Sequence, residues 1–262
     1  MVKDISFDAN KFSQNLKRKF RSGEGFLIKL EDELKEVLRE VKGSSGDSVR
    51  IMASYLYSYP SMLHRFQKLN TMDEHDLVGA LFMVYGWMPS ILRLNSGKAL
   101  DSEKVTQVLT FLLRLQGEKK TEEVWRVVDE DLKKMMRRKE TDPKKGNLQT
   151  LKDMLGGSVV GLSKVLHFVN PSVFPIYDSN IARCFGDFKE VESYVNYAKC
   201  FEEVGRGFYC KEEGCKEGDS WKKRMEDDVS DRVKFFEEEF GYRLTPIRAM
   251  EFLLFREARD GK

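Results

Sequence analysis

Residues 148–186 read LQTLKDMLGGSVVGLSKVLHFVNPSVFPIYDSNIARCFG. The stretch predicts a helix that ends at the Gly156–Gly157 pair, a tight connection, and a second helix from near Gly161 to Asn170–Pro171. That is a helix-hairpin-helix. Its glycines permit positive φ and leave backbone N–H groups unobstructed, while the second helix presents its positive end. Gly156, Gly157, Ser158 and Gly161 are therefore candidates to hold a DNA phosphate without touching a base. Beyond Pro171, Pro175 keeps the chain extended, and Asp178 is placed to cap a helix that carries Ile181 and Phe185 inward. At a helix N-terminus the local dipoles favour an ionised carboxylate. A capping role alone accounts for Asp178; a reacting carboxylate is the alternative.

Working outward, apolar residues recur at three- and four-residue spacing almost everywhere, without a convincing period-two run, so the expected class is all-α. Phe12, Leu16 and Phe20 mark a short first helix, and Leu27, Leu30, Leu34, Leu38 and Val41 one face of a second. Gly43-Ser44-Ser45-Gly46 reads as a stop and a joint. Asp47 is expected to cap a helix that Pro60 ends, Asp73 to open an apolar stretch, and Asp101 to cap a helix through Leu115. Tyr85-Gly86-Trp87-Met88-Pro89 reads as a helix junction whose aromatics either pack the core or line a pocket. Two amphipathic helices, Trp221–Phe240 and Thr245–Arg259, close the chain, with Trp221 expected in the core.

Charge is abundant but balanced: 45 Lys+Arg against 43 Asp+Glu give a net charge of +2 in 262 residues. Indiscriminate attraction to polyanions is not implied. Basic residues nevertheless gather from Lys133 to Lys145, just before the hairpin, with Lys144 and Lys145 nearest to it. They are either a solvated helix end or a phosphate-contacting face. No apolar run is long enough to span a bilayer, and the acidic N-terminus lacks the pattern of a signal peptide, so a soluble, cytoplasmic protein with no membrane partner is expected. No Gly-x-Ser-x-Gly, P-loop or His-Glu-x-x-His pattern occurs.

Hairpin and aspartate together resemble the helix-hairpin-helix DNA glycosylase superfamily, in which a Gly-rich hairpin is followed by a Pro-x-Asp segment bearing the essential carboxylate. In that family the hairpin reads Leu-Pro-Gly-x-Gly; here Leu155-Gly156-Gly157-Ser158-Val159-Val160-Gly161 is longer and lacks the proline. Pro175-Ile176-Tyr177-Asp178 has one residue more between Pro and Asp than the commonest version. The resemblance implies two helical lobes with a cleft between them. Residues 45–168 would form a bundle ending in the hairpin, and 1–44 with 169–262 a second lobe carrying the catalytic Asp178.

It also implies an activity, hydrolysis of the N-glycosidic bond of a flipped, damaged or modified base in double-stranded DNA, by a monomer that needs no cofactor and no metal. His167 and Tyr177 lie near enough to the motif in sequence to touch the flipped base, with a core role as the alternative for each. If Ser163 takes the place of the small residue that packs the second helix close, the family's Schiff-base lysine falls at or near Gly161, which carries no nucleophile. Lys164 then becomes a phosphate or surface lysine and the enzyme monofunctional, unless a lysine from a remote segment reaches the site. The rival reading is a non-catalytic helical DNA-binding or protein-interaction module. Cys184, Cys200, Cys210 and Cys215 leave free thiols, a Cys210–Cys215 disulfide and zinc all open.

Overall fold

Capping side chains in the sequence mark several helix starts, and the structure, a computed structural model, follows them. It describes residues 14, 23–43, 47–86, 101–136, 146–185, 188–209 and 220–260. The helices with described bounds are α1 (Gly23–Gly43), α2 (Asp47–Gln67), α3 (Glu74–Gly86), α4 (Ser102–Gly117), α5 (Thr121–Met136) and α6 (Asn147–Met154). They continue with α7 (Val159–Val169), α8 (Ser179–Phe185), α9 (Val191–Tyr209), α10 (Ser220–Phe240) and α11 (Pro246–Asp260). Among the described residues there is no strand, so the chain is all-α. Asp101 accepts from the Glu103 amide at 3.1 Å to start α4. Before α3, Asp73 and Asp76 cap reciprocally: the Asp76 amide donates to Asp73 at 2.8 Å and the Asp73 amide to Asp76 at 3.4 Å.

Pro60 does not end its helix. It lies inside α2. Proline forfeits one intrahelical bond, but Leu56, Tyr59, Met62 and Phe66 recur on one buried stripe across it, and that apolar burial outweighs the lost bond.

The chain divides into two units: the described residues of 1–61, 178–187 and 196–262, and those of 62–177 and 188–195. In the first, α1 packs on α10 and α11, and α8 packs on α11. Phe26, Leu27, Leu30, Leu34 and Val37 form the buried stripe of α1. Charge reinforces it, since the fully buried Arg256 of α11 reaches Glu33 at 3.0 Å, Glu36 at 3.5 Å and Glu40 at 3.2 Å. Trp221, expected in the core, is fully buried, and its indole N–H donates to Glu202 at 3.1 Å. A Cβ at Gly205 would come within 2.2 Å of the Trp221 ring, so only glycine fits there.

In the second unit α4 is central, packing against α3, α5, α6 and α7. Val105, Val108, Phe111, Leu112 and Leu115 are its buried face. No described helix is long and apolar enough to cross a membrane.

Candidate active site

The hairpin is built from α6 and α7, which belong to the same unit. Asp131 of α5, 2% exposed, starts it by accepting from the Asn147 amide, the Asn147 side chain and the Leu148 amide, each at 2.9 Å. The preceding Gly146 has no room for a side chain, because a Cβ would lie 2.5 Å from Met135 and 2.9 Å from the Asp131 carboxylate. At the other end of α6, Gly156 and Gly157 take φ of 62° and 78°. The Gly157 amide returns to the Lys152 carbonyl at 2.9 Å and the Gly156 amide to Asp153 at 3.1 Å, which closes the helix C-terminus.

The second helix starts at Val159, two residues earlier than the glycine pattern suggests. Ser158 is its cap, accepting from the Gly161 amide at 3.0 Å. Gly161 is thus the third residue of α7 and serves close packing: a Cβ there would lie 3.3 Å from the Tyr85 hydroxyl and 3.4 Å from Leu155. Tyr85 is buried against the turn and donates to the Leu155 carbonyl, which settles this aromatic as core.

These bonds change what the turn can offer an anion. The amides of Gly156, Gly157, Ser158 and Gly161 all donate within the chain. Among the described residues, only the Val159 and Val160 amides of this turn lack an acceptor.

Helix α7 is buried along nearly its whole length, from Gly161 to Val169 without a break. Lys164 is 8% exposed and His167 0% exposed, so neither presents the surface that sequence position alone suggested. The expectation of a surface lysine at 164 is corrected accordingly. For His167 the core alternative is the one seen: its Nδ1 lies 2.7 Å from the Phe174 carbonyl and must carry the proton, because a carbonyl only accepts. The apolar run Val-Val-Gly-Leu-Ser-Lys-Val-Leu-His-Phe-Val carried this signal, being the pattern of a helix hydrophobic on every side.

Tyr177 is likewise core rather than pocket. It is fully buried, stacks on Phe188 with ring centroids 4.3 Å apart, and its hydroxyl accepts from the Phe188 amide at 2.9 Å. Its backbone is gripped by Ser163, whose Oγ lies 3.0 Å from both the Tyr177 N–H and the Tyr177 carbonyl.

Asp178 follows directly and caps α8. Its Oδ1 accepts from the Asn180 and Ile181 amides, both at 2.9 Å. The residue is half-buried, and among the described residues Oδ2 accepts no hydrogen bond. One oxygen is therefore fixed by two backbone dipoles, while the other has no hydrogen bond among the described residues. Tyr55 of α2, in the same unit, is electrostatically coupled to this carboxylate: burial first, and then the Asp178 charge, push its phenol above the ordinary range. No sequence signal links the two, since they lie on helices far apart in the chain.

Lys144 and Lys145 lie outside the described residues, as do Cys210 and Cys215; Cys200 is a buried thiol. Comparison with protein-family models, curated proteins and solved structures found no match.

Proposed function

We propose that this protein is a monofunctional DNA N-glycosylase of the helix-hairpin-helix type, acting on a damaged or modified base. The observation that carries the reading is the Asp178 carboxylate, with Oδ1 fixed by two amides of a helix N-terminus and Oδ2 without a hydrogen-bond partner among the described residues. Breaking an N-glycosidic bond develops positive charge on the sugar. A carboxylate placed beside it stabilises that charge and orients or deprotonates the attacking water. The target base must first leave the duplex, and on this reading a cleft between two helical lobes receives it. His167 and Tyr177 are too deeply buried to line such a pocket. Tyr55, coupled to Asp178 and half-buried, is the better candidate for a neighbour of the reacting nucleotide.

The hairpin contributes phosphate contacts through the Val159 and Val160 amides and the positive end of α7. Lys164, being buried, is not the contacting lysine; basic residues of the 133–145 stretch would supply the counter-charge.

The test is incubation with duplexes bearing oxidised, deaminated, alkylated or hypermodified bases, followed by alkali to reveal abasic sites. Wild type should give breaks on at least one duplex, and Asp178→Asn should give none while still binding it. Full activity in Asp178→Asn overturns the assignment. Borohydride should trap no adduct, and a covalent complex would overturn the monofunctional reading.

One observation favours the protein-interaction form of the non-catalytic alternative instead: the four hairpin amides expected to face a phosphate are already spent inside the chain. Failure to bind any duplex is the outcome that supports it.

A further inference from the structure

We draw no further inference here: the strongest candidate, the exposed apolar face of α3 that carries Gly79, Phe82 and Met83, is a helix face for which nothing in the structure shows what covers it.

Discussion

The Gly156–Gly157 turn and the 173–177 segment are both irregular backbone in a helical protein, yet they differ in how far they reach for hydrogen-bond partners. In the turn, amides return to carbonyls a few residues back, and Ser158 caps the helix it precedes. In the segment, the Val173 and Phe174 amides also turn back, to the Asn170 carbonyl, but beyond them side chains of α7 and α9 reach the backbone, with Tyr194 19 residues from the carbonyl it binds. A turn of the first kind is specified by its own residues. A segment of the second kind depends on partners that converge only when the helices pack.

That contrast can be broken in order of expected effect. Asp131→Ala should be the most damaging change to the hairpin, because it strips three donors of a buried, charged acceptor. A loss of about 3 kcal/mol or more is expected in urea denaturation; a loss below about 1 kcal/mol would mean that α6 is not started this way. Ser163→Ala, which takes the shared hydroxyl from the buried backbone of Tyr177, should cost about 1–3 kcal/mol by the same measurement. Faster amide exchange at Tyr177, with the hairpin amides unchanged, would show that the two regions are held independently.

Gly157→Ala should cost only about 1–2 kcal/mol, since nothing lies within 4 Å of an added Cβ and the penalty is the left-handed backbone at φ of 78°. Asparagine at 157 should be tolerated better than valine, because its short polar side chain suits that conformation. Equal losses for all three substitutions would sink the backbone explanation.

The smallest effect sharpens the difference between paired and unpaired buried tyrosines. Tyr194 has its carbonyl, whereas the Tyr242 hydroxyl makes no hydrogen bond among the described residues. Tyr194→Phe should cost about 1 kcal/mol, and Tyr242→Phe should be neutral or slightly stabilising. The two should also differ with pH. Burial, opposed by the neighbouring Arg248, pushes the Tyr242 phenol from 10.0 up to about 12. A raised pKa means that the folded state holds the proton more tightly, so this stability is fully present below pH 10 and lost as pH rises through about 12. Tyr242→Phe should flatten the decline across that window, and an unchanged alkaline slope would contradict the assignment.

Much of the fold was open to inspection in the primary structure, and less of the site. Asp101, Asp73 and Asp178 announce helix starts because a cap acts on amides two or three residues away. Pro60 misleads because its local penalty is set against apolar contacts on both sides that no short window displays. His167, Tyr177 and Lys164 sit beside the motif in sequence, but burial of α7 takes His167 and Lys164 from the surface and burial of the following stretch takes Tyr177. Tyr55 shows the converse, a residue with no motif around it whose phenol is pushed up by burial first and by the Asp178 charge second.

By itself the sequence determined the all-α class, the hairpin and the capping position of Asp178. Each of these follows from spacing, glycine backbone freedom or a bond between near neighbours in the chain. Only the tertiary structure decided which hairpin amides remain for a ligand, which side chains grip the 173–177 segment, and that Tyr55 is coupled to the carboxylate. Burial and long-range hydrogen bonding arise from how separate helices pack, and no single segment encodes that.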